Sequence, residues 1–209
     1  MMPLDTLLLF VPSCFALNMA FGPNNLLSMT IGAQHGLRPA LLAAAGRLVA
    51  FALMIAVAAL GMGALLMASQ IAFTVVKLLG AAYLVWLGCK IFFAKATVSA
   101  QGVELGRGGI RSFLRKEFLV AIGNPKAILI FTAFFPQFVV PGNYWGSFLL
   151  LGSIFLTLEL VAIAAYAYAG TRLSGLLQNA RGLRWMNRIS GGMMILFGTI
   201  LALARRPAA

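Results

Sequence analysis

Long apolar runs separated by short polar connections divide this 209-residue chain. A helix that crosses a bilayer needs about 20 largely apolar residues. Six stretches reach or approach that length: Leu4–Ile31, Pro39–Met67, Ile71–Phe93, Phe118–Val140, Tyr144–Ala169 and Ile189–Ala204. The last is short and is expected to begin nearer Trp185, and the first is interrupted by Pro12 and Pro23. The expected fold is therefore all-α and integral to a membrane, with six transmembrane helices. The N-terminal run lacks the basic segment of a signal peptide, carries Asp5 and continues toward Ile31, so it reads as a retained first span.

The polar connections add a direction. Lys95, Arg107, Arg111, Arg115 and Lys116 lie between the third and fourth runs, and Arg172, Arg181, Arg184 and Arg188 between the fifth and sixth. Arg38 joins them on the same side. The opposite connections carry little charge, apart from Lys77 and the terminal Arg205 and Arg206. Basic loops mark the cytoplasmic face, so both termini are expected outside (periplasmic). The stretch 95–116, with Gly102, Gly106, Gly108 and Gly109, reads as a cytoplasmic loop between residues 1–94 and 117–209 of a single transporter domain. Three helices per half is an odd number, so related halves would form an inverted repeat.

Composition agrees with the pattern: 62% of residues are apolar, 10% are charged, and mean hydropathy is +0.97. A soluble domain carries about 25% charged residues. The net charge of +12 does not imply nucleic acid, because the basic residues sit between apolar runs and not on one face. Cys14 and Cys89 lie in separate apolar runs and read as buried, inert thiols. His35 stands alone in a loop, so no metal site is expected, and no feature calls for a cofactor.

The first helix of each half carries a similar break, Phe21-Gly22-Pro23-Asn24-Asn25 and Gly123-Asn124-Pro125-Lys126. Each proline lacks an N–H and crowds the carbonyl four residues back, which frees the oxygens of Met19 and Ala121. Paired interruptions in corresponding helices point to a transporter binding site; the plainer reading is a pair of packing kinks. Half-helix N-termini suit a carboxylate and freed carbonyls suit an ammonium. Glu159 stands in the middle of the fifth run, where a charge costs about 2.5–3.5 kcal/mol on insertion scales. It reads as a proton carrier or ammonium-binding carboxylate, or as a structural partner of Lys126 or Arg47. Gly152 and Tyr166 share its helical face. Lys126 could snorkel, pair with Glu159 or meet a substrate carboxylate, and Arg47 reads as a snorkelling interface residue. Asn18 reads as a helix–helix hydrogen-bonding residue, and Gly80 and Gly88 as a close helix contact.

Four blocks resemble the lysine-exporter superfamily, in its homoserine/threonine-efflux (RhtB-like) branch. They are Gly22-Pro23-Asn24-Asn25 with Gly32-Ala-Gln-His-Gly36; Lys77-Leu-Leu-Gly-Ala-Ala-Tyr-Leu-Val-Trp-Leu-Gly88; Asn124-Pro-Lys-Ala-Ile-Leu-Ile-Phe-Thr-Ala-Phe-Phe-Pro-Gln-Phe138; and Asn187-Arg-Ile-Ser-Gly-Gly-Met-Met-Ile-Leu-Phe-Gly198. They occur in the family's order and cover nearly the whole chain. The resemblance implies six helices in two inverted halves and proton-driven export of amino acids. It also implies that both Asn/Pro motifs and the acidic residue of the fifth helix, here Glu159, lie near the translocation path. Members of this branch often have Asp at that position and Pro-Gly-Pro where this chain has Phe21-Gly22-Pro23.

The expectation is thus a secondary active exporter of small amino acids or their derivatives in the bacterial inner membrane, working by proton-coupled antiport and alternating access. Gly22, Pro23, Asn24, Asn25, Asn124, Pro125, Lys126 and Tyr166 are the candidate substrate-binding residues, and Glu159 is the candidate proton-coupling residue. The alternative is transport of another small solute or cation. One histidine and four acidic residues offer little to an enzyme. A non-transporting subunit would have no use for paired breaks and a mid-span carboxylate. Expected partners are the amino-acid substrate and the lipid bilayer, with a homodimer suggested by small-residue faces in the third run.

Overall fold

A computed structural model describes residues 2–68, 70–94, 109–172 and 180–203, which form helices and short connections without a strand. Helices α1 (Leu4–Met19) and α2 (Pro23–His35) meet at a 58° bend. Helices α3 (Leu37–Ala68) and α4 (Gln70–Phe92) follow. Helix α5 (Ile110–Ile122) breaks into α6 (Pro125–Leu129), which runs on through a π turn (Ile130–Phe134) and a 3-10 turn (Phe135–Phe138); the bend here is 51°. Helices α7 (Tyr144–Arg172) and α8 (Ala180–Leu203) complete the described chain.

By length and apolarity, Leu37–Gly61 of α3 and Tyr144–Arg172 can each cross a membrane, and the two bent pairs bring the total to four if each is one span. The outer surface is apolar, with Leu8, Leu42, Val57, Leu149 and Ile200 all exposed. Lipid is the solvent such a surface fits.

Three expectations are corrected. The chain stays helical through Pro12, in the interior of α1. The connection expected to run as a loop through Lys116 is helical from Ile110 onward, while residues 95–108 lie outside the described residues. The reason is amphipathicity: Phe113, Glu117 and Ala121 recur every fourth residue and are buried, while Arg111 and Arg115 stay exposed. Likewise α8 starts at Ala180, ahead of its apolar run, with Arg184 and Arg188 on exposed positions.

Glycines let helices approach at backbone distance. A Cβ on Gly32 of α2 would strike the carbonyl of Ala167 in α7, and one on Gly170 of α7 would strike the carbonyl of Met29 in α2. Gly46 of α3 meets Leu114 of α5 in the same way, and Gly88 of α4 lies against Gly191 and Ile195 of α8. Each of these contacts joins a helix before the 95–108 segment to one after it. Gly36 turns α2 into α3 at φ +89°, a conformation that L side chains rarely adopt.

On the Tyr144 side of α7 the core is aromatic. Phe10, Phe51, Phe131, Phe134, Phe135 and Phe155 pack with ring centroids 4.9–5.7 Å apart. Phe155 stands one turn from Glu159, so α7 passes from an aromatic environment to a polar one within a turn.

Replacing Gly170 with Val should lower the apparent melting temperature in detergent by roughly 5–10 °C, because the α2–α7 backbones must separate. Gly61→Ala, whose added Cβ meets nothing within 4 Å, should melt like the parent chain. Equal melting of all three proteins would contradict the packing described.

Candidate functional site

A helix end leaves its last four carbonyls without intrahelical partners. At the end of α1 side chains supply the partners. The Tyr166 hydroxyl donates to the Met19 oxygen at 2.7 Å. Asn25 Nδ2 donates to the oxygens of Asn18 and Ala20 at 2.8 and 3.0 Å. Lys126 Nζ donates to Leu17 and Ala20 at 3.1 and 2.9 Å. The Met19 oxygen is thus free of its helix, as Pro23 requires. The Ala121 oxygen at the second break is instead taken by the backbone N–H of Asn124 at 3.1 Å.

The two breaks touch. Asn124 Nδ2 donates to Asn24 Oδ1 at 2.5 Å, and Asn124 Oδ1 caps α6 by accepting from the Lys126 N–H at 3.0 Å. The N-terminus of α2 begins at Gly22 and Pro23 with no side-chain cap. A Cβ on Gly22 would lie 3.8 Å from Lys126 Nζ. Pro23 and Pro125 themselves are exposed and stand at the first positions of the half-helices.

Arg47 lies beside this junction with no exposed surface. Snorkelling is therefore corrected: its guanidinium points inward, where carboxylates are available. Its Nε and one terminal nitrogen grip Glu117 at 2.8–3.0 Å, and the other terminal nitrogen reaches Glu159 Oε1 at 2.9 Å. Further donors go to Asn25 Oδ1 at 3.2 Å, to Ser28 Oγ at 2.5 Å and to the Asn24 carbonyl. Ser28 Oγ also donates to Glu117 Oε1 at 3.0 Å. Of the residues singled out from sequence, Asn24, Asn25, Asn124, Lys126, Glu159 and Tyr166 are joined by hydrogen bonds at or around the breaks.

Glu117 and Ser28 were not anticipated. Glu117 follows Arg115-Lys116 and reads as part of a solvated charge cluster; its i, i+4 register with Phe113 and Ala121 was the available signal. Ser28 lies three residues after Asn25, on the same helical face.

Two carboxylates, Glu117 and Glu159, share the one Arg47 guanidinium in the interior. Removing one partner from a buried ion pair is far costlier than never having the pair. Lys126 lies within electrostatic reach of both Glu159 and Arg47. Two buried polar atoms, Asn18 Oδ1 and Asn24 Nδ2, have no hydrogen-bond partner among the described residues. Asn18 Nδ2 donates to the Phe155 carbonyl of α7 at 3.2 Å, the helix–helix role expected of it. Among the described residues no three His, Cys, Asp or Glu side chains are grouped to hold a metal.

The family described as "LysE type translocator" matches residues 15–205. An uncharacterized membrane protein of Vibrio cholerae is 31% identical over 207 residues, covering 98% of this chain and 100% of that protein. The homoserine/homoserine lactone efflux protein of Salmonella typhimurium is 30% identical over 190 residues, 90% of this chain and 92% of that protein. The leucine efflux protein of an Enterobacter species is 34% identical over 159 residues, covering 73% of this chain and 72% of that protein. No solved structure matches the chain.

Arg47→Met strands two buried carboxylates, so it should destabilise the fold by about 3–5 kcal/mol. Adding Glu117→Gln and Glu159→Gln to Arg47→Met should recover much of that loss. Thermal melts of the single and triple variants in detergent check this, and a single variant that melts like the parent chain contradicts it.

Proposed function

This chain belongs to the family of LysE type translocators, and we propose that it is a secondary active exporter of small amino acids or their derivatives. Relatives named for homoserine/homoserine lactone efflux and for leucine efflux support the substrate class. Within it we place six spans in the inner membrane, in two inverted halves, with the termini outside. The bent span α1–α2 packs on α7 and the bent span that begins with α5 packs on α3, which supports that symmetry, because a two-fold relation between the halves exchanges those two pairings of spans.

The observation that carries the mechanism is that Glu159 shares Arg47 with Glu117 beside the junction of the breaks, and holds it through one oxygen only. The Glu159 carboxylate can be met by one proton or by a substrate ammonium within electrostatic reach of it, as Lys126 is, and not by both. Such competition is what antiport requires. We assign it to Glu159, which holds Arg47 through one oxygen, whereas Glu117 uses both of its oxygens. A proton arriving from outside neutralises Glu159 and favours release of the ammonium.

The carboxylate is assigned to the first break. The α2 N-terminus has no side-chain cap, and Asn24 Nδ2 beside it is a buried donor with no partner among the described residues. The second break is capped by Asn124. Asn25, Asn124 and Tyr166 hold the broken ends in register, Gly22 leaves room beside them, and Pro23 and Pro125 start the half-helices.

Alternating access by one half moving against the other would drag backbone past backbone at Gly32, Gly46 and Gly170. We therefore place the movement at the breaks, where half-helices can swing about Ala20–Gly22 and Gly123–Asn124.

Inverted membrane vesicles with an acidic lumen should take up labelled L-leucine or L-homoserine. Glu159→Gln should reduce gradient-driven uptake by about tenfold or more while sparing exchange without net proton flow. Uptake that survives in the variant at the parent rate would remove Glu159 from coupling. No amino-acid movement by folded protein would sink the exporter reading.

A further inference from the structure

We propose that Lys126 is a tethered competitor for the substrate's amine: its ε-ammonium occupies the carbonyl cradle at the end of α1 and must withdraw for a substrate ammonium to enter. The proposal rests on the exporter reading for the word substrate, while the cradle itself stands on geometry.

The structure holds an alkylammonium in a receptor. Lys126 Nζ lies 3.1 Å from the Leu17 oxygen and 2.9 Å from the Ala20 oxygen, both released by the α1–α2 break. The C-terminal end of a helix carries partial negative charge, which favours a cation there. Neither oxygen is a carboxylate, so the contact is a pair of hydrogen bonds to neutral groups. The primary ammonium of an amino acid has the same three donors and the same charge. It can replace Lys126 without changing the chemistry of the cradle.

The cradle also survives the exchange. Asn25 Nδ2 continues to donate to Ala20, and the Ala20 N–H lies 3.3 Å from the Leu17 oxygen. Gly22 leaves space beside the ammonium, the nearest atoms to a Cβ placed there being Lys126 Nζ at 3.8 Å and Cε at 3.9 Å.

The tether gives the competition a mechanical meaning. Lys126 stands in the first turn of α6, with its backbone N–H held by Asn124. Its side chain reaches across to α1, so this one contact latches the second half-helix to the end of the first. A substrate amine that takes the cradle releases the Lys126 latch between α6 and α1 as it binds, while Asn124 and Asn24 still join the breaks. An analogue without an ammonium leaves them latched.

The test uses the full chain in nanodiscs, with lysine carrying 13C at Cε. The Lys126 resonance is assigned by its loss in Lys126→Gln, and exposed Lys90 serves as the reference. Methylammonium and L-leucine should each move the Lys126 signal toward that of Lys90. Tetramethylammonium and N-acetyl-L-leucine, which lack a primary ammonium, should not. In vesicles Lys126→Met should lower the half-saturating L-leucine concentration by about tenfold if the ammonium fills the cradle for roughly nine-tenths of the time. A Lys126 signal that ignores methylammonium, or an apparent affinity unchanged or weakened in both Lys126→Met and Lys126→Gln, would overturn the proposal. If methylammonium displaces Lys126 but no amino acid is transported, the cradle stands and the exporter reading falls.

Discussion

A guanidinium with no exposed surface must place all five of its N–H donors on protein acceptors. Arg47 does so with groups from α2, α5 and α7: Asn24, Asn25 and Ser28 from the first, Glu117 from the second and Glu159 from the third. Those three helices and α3 itself are fixed by one side chain. The α1–α2 break is held open because its first residues are committed to Arg47 on one side and to the end of α1 on the other. Without the guanidinium the two carboxylates would repel, and the polar junction would lose the group that organises it.

Around that centre the rest of the chain is packing. Glycines bring α2 to α7, α3 to α5 and α4 to α8 at backbone contact, and phenylalanines fill the Tyr144 end of the core. The buried charged residues Arg47, Glu117 and Glu159 gather beside the point where the breaks meet through Asn24 and Asn124. This arrangement joins rigidity with a local fault. The helix pairs are held at backbone contact, and the broken ends are where we propose movement.

Much of this was legible in the sequence. The apolar runs located the helices to within two or three turns, and Pro23 and Pro125 located both breaks. The inward face of α7 followed from Glu159 alone, because no other placement of a mid-span carboxylate is tolerable. Gly88 was a helix contact, as its spacing indicated. What stayed hidden was pairing at long range. Arg47 read as a snorkelling residue, with Glu159, 112 positions away, named only as one alternative partner; Glu117, 70 positions away, was not foreseen. Glu117 stayed hidden for the opposite reason, since adjacent Arg115 and Lys116 offered it ready partners in solvent. Lys126 was singled out, but its contact with the end of α1 depends on how the two breaks are brought together.

The same long separations bear on how the protein is made. Arg47 enters the bilayer on an early helix, yet Glu159 is translated 112 residues later. At about 5–20 residues per second that interval is roughly 6–22 s. Until Glu117 follows, 70 residues after Arg47, the nascent chain carries an unneutralised guanidinium, and the groove on α2 that will receive Gly170 stays empty longer still. During that time Arg47 has to reach for the cytoplasmic interface or shelter in the insertion machinery. The snorkelling arginine of the sequence reading describes the half-made protein, and the buried one the finished protein.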